Sequence, residues 1–395
     1  MPVRAGPETT SARVVRRSIR CAALAAGFAA LLAALLCDGA WFTRHVRVPA
    51  LYLPPPWWLL PLLRGALAGL GALAIAASGT LARLATQPLD LARAVFAVAL
   101  ALCAGELILR QGERGTTSWR ARKLELRMGR PDARFGWVLL PSRTVSLAAS
   151  GAPSVAYAID AWGDRGPSAS AAPDPSLPSL VIAGESVGVG HGLPFEDTFA
   201  ARLAARLHLQ LVNVSAGGYG TDQSLLRLEE ALGRLQRPAA CVMVFLPIQL
   251  QRNVQDYRPR LAVRDGHLVA APAAAGFFRR LRLRDLWVNE FPVLGDSTLR
   301  ESLDVTAAAL REGARRCGER GAKFVVLVVS VGPARPLDAH PESEVLRELL
   351  VVQGLPFVLA DVDVPELIPY DGHPGAAASR RIAAALHRAL AEQSR

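Results

Sequence analysis

From residue 178 onward, short apolar runs alternate with amphipathic segments, and this alternation constrains the fold more than any other feature of the chain. The strand candidates are Leu180–Ala183, Leu209–Asn213, Cys241–Leu246, Phe324–Ser330 and Pro356–Ala360. The helix candidates are Glu196–Leu207, Asp222–Leu235, Thr298–Gly318, Ser343–Gln353 and Gly375–Gln393. Such alternation predicts a three-layer α/β/α sandwich with a parallel sheet, in which ligands bind at the carboxyl ends of the strands.

The first 110 residues contain three long apolar stretches, at about Cys21–Cys37, Trp57–Ala77 and Leu91–Leu109. Each approaches the roughly 20 residues that a helix needs to cross a bilayer core. A cleaved signal peptide is the alternative for the first stretch, but two more follow it, so anchoring in the lipid bilayer is expected in either case. We therefore predict that N-terminal transmembrane helices precede the α/β domain.

Three regions follow from these patterns. Residues 1–110 are expected to form the membrane region, and residues 178–395 the α/β domain. Residues 111–177 lie between them and carry scattered Gly, Pro and Ser with short β-like runs at Thr144–Ala148 and Val155–Ile159. They are predicted to form a juxtamembrane linker and a small β-rich extension.

The net charge of +11 belongs to the N-terminal part of the chain. Residues 1–140 hold 18 Lys and Arg against 7 Asp and Glu, whereas residues 141–395 hold 27 of each. Five arginines before the first apolar stretch keep the N-terminus in the cytoplasm by the positive-inside rule, so three spans would place the α/β domain outside. Seven basic residues after the third stretch favour the opposite side, and a two-span hairpin would satisfy both clusters. We favour a multi-pass protein with an extracytoplasmic domain.

Several functions are disfavoured by composition. Only Lys123 and Lys323 are lysines, and no basic stripe interleaved with aromatic residues occurs, so nucleic acid is not expected as a partner. The five cysteines show no paired spacing suited to zinc or redox chemistry, and no metal or cofactor is expected. A disulfide between Cys241 and Cys317 is an option only if the domain is extracytoplasmic.

A serine stands at the end of the first predicted strand of the α/β domain. Residues 179–192 read SLVIAGESVGVGHG, so the apolar run leads directly into Ser186. A serine at such a turn projects its hydroxyl from the C-terminal edge of a sheet. Far downstream, residues 370–374 read YDGHP and provide Asp371 and His373 just before the last helix. Serine, acid and histidine together predict ester hydrolysis or acyl transfer.

Two other motifs fit this region less well. Residues 184–188 match G-x-S-x-G, but the serine of an α/β-hydrolase follows several earlier strands, and its acid and histidine come from separate loops. Residues 188–192 give G-x-G-x-G, which lacks both the third glycine of a dinucleotide fingerprint and a phosphate-binding lysine.

Over about residues 178–393 the chain resembles the SGNH hydrolase superfamily, the GDSL esterases and lipases, whose α/β/α sandwich is flavodoxin-like. GES at 184–186 is similar to the first family block, with Glu185 in place of the usual aspartate. NVSAGGYGT at 213–221 is similar to the second, with Gly218 as the block glycine. RNVQD at 252–256 occupies the place of the third, without the usual Gly-x-Asn-Asp, and offers Asn253. DGHP at 371–374 resembles the last, in a D-x-H spacing.

The resemblance implies a Ser-His-Asp catalytic triad in which Ser186 attacks an ester carbonyl, His373 is the general base and Asp371 orients the imidazole. It also implies an oxyanion hole formed by the backbone N–H groups of Ser186 and Gly218 and the side-chain amide of Asn253.

Each of these residues has a structural alternative: Ser186 as a turn cap, Gly218 as a positive-φ turn residue, Asn253 as a loop residue and Asp371 as the N-cap of the last helix. Four other histidines lack a comparable setting and are expected at the surface: His191, His208, His267 and His340. Asp222, beside Thr221, is expected to be a helix N-cap.

The leading hypothesis is a membrane-anchored serine esterase, a hydrolase acting on an acyl ester such as an O-acetyl group of envelope carbohydrate or a lipid. An O-acyltransferase that passes the acyl group to a sugar hydroxyl needs the same triad and is the first alternative. A catalytically silent binding module with the same fold is the second.

Residues 258–297 interrupt the alternation and contain FFRR at 277–280 and Trp287; they form either a lid over the site or a surface excursion.

Overall fold

A computed structural model describes residues 10–38, 59–112, 128–148, 154–255, 258–271, 281, 283, 296–340, 342–369 and 371–393. The chain divides into two compact units, one containing the N-terminal helices and the other containing the β-sheets.

The N-terminal unit is helical. Its helices are α1 (Thr10–Leu36), α2 (Leu59–Ala76), α3 (Ser78–Thr86) and α4 (Pro88–Gly112). The segments Arg13–Leu36 and Leu89–Arg110 are each long and apolar enough to cross a membrane, while α2 and α3 meet at a 62° bend and pass the same test only together. The described part of the unit thus holds two candidate spans, or up to three. The three predicted apolar stretches are helical where described, except at their last residues Cys37 and Ala77. Residues 57 and 58 lie outside the described residues.

Two small antiparallel sheets precede the main one in the chain. They pair β1 (Gly129–Asp132) with β2 (Gly136–Leu139), and β3 (Arg143–Leu147) with β4 (Val155–Ile159). The β-like runs predicted between residues 144 and 159 are therefore strands, and Tyr157 and Ile159 of β4 are buried.

A five-stranded parallel sheet forms the centre of the second unit. The remaining strands are β5 (Ser179–Ala183), β6 (Gln210–Asn213), β7 (Pro238–Phe245), β8 (Arg260–Arg264), β9 (His267–Ala271), β10 (Lys323–Val331) and β11 (Phe357–Val362). The order in the main sheet is β11-β10-β7-β5-β6. The chain crosses from β5 to β6 on one side and returns to β7 on the other, so the topological switch point lies between β5 and β7, the usual place of a ligand site in such sheets.

Helices cover both faces of this sheet. The helices of the unit are α5 (Ser186–Val189), α6 (Phe199–Leu207), α7 (Thr221–Arg234), α8 (Ile248–Arg252), α9 (Asp296–Glu319), α10 (Ser343–Leu346) and α11 (Ala376–Glu392). Because side chains alternate along a strand, Val181 of β5 packs with α7 and α9, whereas Leu180 and Ile182 pack with α6 and α11. The predicted three-layer sandwich is confirmed.

The predicted elements of the sandwich are all present, with ends that differ by up to three residues. The last predicted amphipathic segment before β11 is α10 followed by a π-helical turn, Arg347–Val351.

Cys241 and Cys317 lie buried in β7 and α9 as free thiols. The predicted insertion begins as the antiparallel hairpin β8–β9; Phe277–Arg280 and Trp287 lie outside the described residues.

Asp222 is not the N-cap of α7, which corrects the sequence prediction. Gly220 precedes the helix, and Asp222 is buried in its first turn. Its carboxylate accepts hydrogen bonds from the backbone N–H groups of Gln223 (2.7 Å) and Leu261 (3.1 Å). Burial raises the pKa of Asp222 to about 6, although these hydrogen bonds and Arg258 oppose the rise. The residue therefore ties α7 to β8.

Candidate active site

Ser186 lies at the carboxyl end of β5, at the switch point of the sheet. The strand ends at Ala183, and Ser186 is the first residue of the short helix α5. Glu185 is the N-cap of that helix, since its Oε1 accepts the Val187 N–H at 2.7 Å. Capping is thus performed by Glu185, and the Ser186 hydroxyl is left to other partners.

The Ser186 hydroxyl meets the two downstream residues singled out in the sequence. His373 Nε2 lies 2.8 Å from Ser186 Oγ, and His373 Nδ1 forms a hydrogen bond with Asp371 Oδ1. The His373 and Asp371 side chains are 24% and 9% exposed, so the relay opens to solvent at the imidazole. The N-cap of helix α11 is Gly375, so the alternative role of Asp371 as the N-cap of this helix is wrong.

The D-x-H spacing depends on the glycine between the two residues. Gly372 has φ +83°, a left-handed conformation that glycine adopts without steric cost. The N–H groups of Asp371 and Gly372 both donate to the Ile368 carbonyl at 3.2 Å. This tight turn brings the Asp371 and His373 side chains together over only two positions. Tyr370 lies outside the described residues.

His191 belongs to the site, contrary to its predicted surface position. Its Nε2 lies 3.4 Å from Asp371 Oδ2, and its ring centroid lies 4.5 Å from that of His373. Burial would raise the pKa of Asp371, but hydrogen bonds from His191 and His373 outweigh it and hold that pKa below its usual range. Asp371 therefore serves two imidazoles as an ionised acceptor. His191 and Asp371 are 180 positions apart in the sequence, so no local pattern predicts their contact.

The other three histidines divide between surface and core. His208 and His267 are exposed, as predicted. His340 is buried, which corrects the prediction for that residue. Its Nε2 lies 3.1 Å from Asp361 Oδ1 and its Nδ1 lies 2.6 Å from Glu342 Oε2.

One group of side chains in the described part of the chain has ligand atoms close enough to hold a metal ion. These are His191, Asp371 and His373, whose ligand atoms lie within 4.8 Å of one another. The atoms involved are those of the hydrogen-bonded relay, so a cation there would compete with the contact between His373 and Asp371.

A buried ion pair lies beside Ser186. Glu185 is fully buried, and its Oε2 accepts a hydrogen bond from Ser186 Oγ (2.5 Å) and another from Arg252 Nη1 (3.4 Å). Burial alone would raise the pKa of Glu185, but the positive charge of Arg252, together with His373, lowers it. In the sequence Glu185 is visible only as a replacement for the family's aspartate. No local pattern assigns a role to Arg252, because 67 positions separate it from Glu185.

The predicted backbone donors of the oxyanion hole carry no hydrogen bonds to other described residues. Neither the Ser186 N–H nor the Gly218 N–H donates to an acceptor in the described part of the chain. Gly218 has φ +75°, so the turn reading of this glycine is correct and is compatible with the donor role. The Arg258 guanidinium fixes the loop by donating to the Gly218 carbonyl at 2.7 Å.

The small sheets support the loops of the site. Trp137 of β2 donates its indole N–H to the Gly217 carbonyl at 3.1 Å, and its own carbonyl accepts the Tyr219 hydroxyl. Tyr157 of β4 accepts the Gly192 N–H at 2.5 Å, next to His191. Residues of the β-rich extension thus hold the loop of Gly218 and the loop of His191 in place.

Asn253 makes other contacts than the predicted ones. It is fully buried; its Oδ1 accepts the Thr221 N–H at 2.8 Å and its Nδ2 donates to Thr306 Oγ1 at 2.8 Å. These bonds join the start of α7 to α9. Asn253 does not contact the Ser186 hydroxyl through any of these bonds, and the oxyanion role of Asn253 stays a prediction.

No family model and no curated protein matches the chain. Solved structures do match it. An acetyl xylan esterase from the rumen bacterium Butyrivibrio proteoclasticus is 13% identical over 56% of this chain and 65% of its own length, with a TM-score of 0.35. A family two carbohydrate esterase from Clostridium thermocellum, in complex with cellohexaose, is 13% identical over 57% and 66%, with a TM-score of 0.34. A member of the lipolytic G-D-S-L family from Veillonella parvula DSM 2008 is 9% identical over 53% and 96%, with a TM-score of 0.30.

The three structures are thus an acetyl xylan esterase, a carbohydrate esterase and a lipolytic protein of the G-D-S-L family. The chain spans slightly less than two thirds of the length of the first two. At these identities and TM-scores the likeness carries no conclusion about activity or substrate.

Proposed function

We propose that this chain is a membrane-anchored serine esterase of the SGNH type. The observation that carries the proposal is the relay from Ser186 through His373 to Asp371, with 2.8 Å between the hydroxyl oxygen and the imidazole. The relay stands at the switch point of a parallel sheet, where such sheets hold their ligands. Two backbone N–H groups that have no acceptor among the described residues, those of Ser186 and Gly218, suit a developing oxyanion.

The chemistry follows from the roles of these groups. The hydroxyl proton, which is donated to Glu185 in the resting site, turns to His373 Nε2. Ser186 Oγ then attacks the ester carbonyl carbon while His373 Nε2 takes this proton, and Asp371 stabilises the imidazolium. The tetrahedral intermediate then collapses, the carbon–oxygen bond to the alcohol breaks, and His373 returns its proton to the leaving oxygen. A water molecule, deprotonated by His373, then attacks the acyl-enzyme in the same way. The acid is released and the Ser186 hydroxyl is regenerated.

We propose an acyl ester of carbohydrate, such as an O-acetyl sugar, or of lipid as the substrate class. The same acyl-enzyme would serve an acyltransferase, with a sugar hydroxyl in place of water as acceptor. The test is turnover of p-nitrophenyl acetate by the full chain in detergent, followed by acetate release from an acetylated oligosaccharide.

Turnover in both assays is the expected result, and formation of an acetylated acceptor in preference to free acetate would favour transfer. A folded full chain that neither turns over the ester nor reacts with a fluorophosphonate would contradict the proposal and favour a silent binding module.

The helices of the N-terminal unit support membrane anchoring, and we propose that the α/β domain lies on the extracytoplasmic side. A reporter fused after residue 140 is then expected to be active if it is alkaline phosphatase, which folds outside the cytoplasm, and dark if it is a fluorescent protein exported unfolded. The opposite pattern would place the domain in the cytoplasm and leave a two-span hairpin as the topology.

A further inference from the structure

The side-chain donor that the sequence suggested for the oxyanion hole is held by other partners in the structure. Asn253 is buried, and its amide is engaged with Thr306. Of the three predicted donors, the N–H groups of Ser186 and Gly218 are the ones without a hydrogen bond to a described residue. Each preorganised donor contributes about 10²- to 10³-fold to kcat in enzymes of this chemistry, so a third donor matters.

Arg252, the residue next to Asn253, lies between the two loops that carry the backbone donors. Its Nη1 donates to the Tyr219 carbonyl at 3.1 Å, one residue beyond Gly218. The same Nη1 lies 3.4 Å from Glu185 Oε2, and that oxygen also accepts the Ser186 hydroxyl at 2.5 Å. A single carboxylate oxygen therefore separates the guanidinium from the nucleophile.

The guanidinium retains donors for a further partner. Its two hydrogen bonds within the described part of the chain both use Nη1, which leaves Nε and Nη2 without acceptors there. The Arg252 side chain is 18% exposed, whereas Glu185 is fully buried. Arginine suits this arrangement because its planar fork can be anchored through one nitrogen and donate through another.

We propose that Arg252 is the third oxyanion donor, giving a charge-assisted hydrogen bond from its free N–H groups to the tetrahedral intermediate. The inference rests on the proposed esterase function and adds a catalytic residue to it. Glu185 and the Tyr219 carbonyl hold the guanidinium before substrate arrives, so little reorganisation is needed when the charge develops. The ionised Glu185 also balances the charge of Arg252 in the resting site.

The test measures kcat and KM for p-nitrophenyl acetate with the full chain in detergent. Arg252→Met is expected to lower kcat by about 10²- to 10³-fold with little change in KM, since the donor acts on the intermediate and not on the bound ester. Arg300→Gln, which removes an exposed partner of Glu348, is the matched control and is expected to leave kcat unchanged.

A second pair of variants separates catalysis from neutralisation of Glu185. Arg252→Met leaves a buried carboxylate without its cation, which can disturb the site by itself. In Glu185→Gln that charge is absent, and adding Arg252→Met is still expected to reduce kcat by a similar factor. If the double variant keeps the kcat of Glu185→Gln, Arg252 only neutralises Glu185 and the inference is wrong.

Phenylboronic acid gives a readout that does not need turnover. It forms a tetrahedral anion on a reactive serine, and calorimetry is expected to show weaker binding to Arg252→Met than to the wild type, by a factor similar to the loss in kcat. Equal affinity would overturn the inference. A wild-type chain without esterase activity or fluorophosphonate reaction would reject the proposed function itself, whereas an active wild type with an equally active Arg252→Met would reject only the role of Arg252.

Discussion

Ser186→Ala is expected to lower kcat for ester hydrolysis by about 10⁴- to 10⁶-fold, because the variant can form no acyl-enzyme. Residual turnover is expected from direct attack of water on the bound ester, which the remaining oxyanion donors still stabilise. The hydroxyl takes part in two hydrogen bonds at the edge of the sheet: it donates to Glu185, and it shares the other bond with His373 Nε2. Their loss leaves the hydrophobic layers untouched, so the Tm of the full chain in detergent should change little.

The matched control is Ser379→Ala, a buried serine on helix α11. It is expected to retain wild-type kcat, so a general effect of removing a buried hydroxyl would be recognised. If Ser186→Ala kept wild-type turnover in a folded chain, the nucleophile would have to be sought elsewhere.

Asp371→Asn is expected to lower kcat by about 10⁴-fold with a smaller effect on KM. An asparagine amide can donate to His373 Nδ1 and so favour the tautomer that carries its proton on Nε2, which cannot accept the Ser186 proton. Loss of the carboxylate also removes the negative charge that stabilises the imidazolium. The contact of Asp371 with His191 is lost in the same variant, so both imidazoles lose their shared acceptor.

The depressed pKa of Asp371 adds a stability measurement to this variant. A carboxylate whose folded pKa lies below its unfolded value, about 3.9, stabilises the protein above that pH and ceases to do so as pH falls through the folded pKa. The decrease in Tm below about pH 4 should therefore be smaller in Asp371→Asn than in the wild type.

Asp361→Asn is the control for Asp371→Asn, since Asp361 also bonds a histidine, His340, at 3.1 Å. This pair lies in the core of the same unit and is expected to affect Tm without a comparable loss in kcat. Equal losses of kcat in both variants would indicate that aspartate–histidine pairs act here through stability alone.

The strands of the sheet could be predicted because they are buried on both faces and appear as continuous apolar runs. Leu180–Ala183 is such a run, and every residue of β5 is buried. Apolar helices in the N-terminal part were equally visible from composition, whereas the 62° bend between α2 and α3 was not. Charge patterns could not decide the number of spans, since the basic residues on either side of the apolar stretches favour different topologies.

The site was predictable where its residues carry a local pattern. Ser186 follows a strand within a glycine-rich turn, and Asp371 and His373 sit two positions apart, so their meeting could be expected. Arg252 and His191 were missed because each contacts a residue far away in sequence. Asn253 connects the start of α7 to α9, which only its hydrogen bonds reveal, and its oxyanion role stays a prediction.

The most direct test of the central claim is to identify the residue that a fluorophosphonate modifies in the full chain, by peptide mass spectrometry, with His373→Ala alongside the wild type. The structure predicts a single adduct on Ser186, formed far more slowly without the imidazole that accepts the hydroxyl proton. An adduct on another residue, or one on Ser186 that forms at the same rate in His373→Ala, would contradict an activated serine at the end of β5.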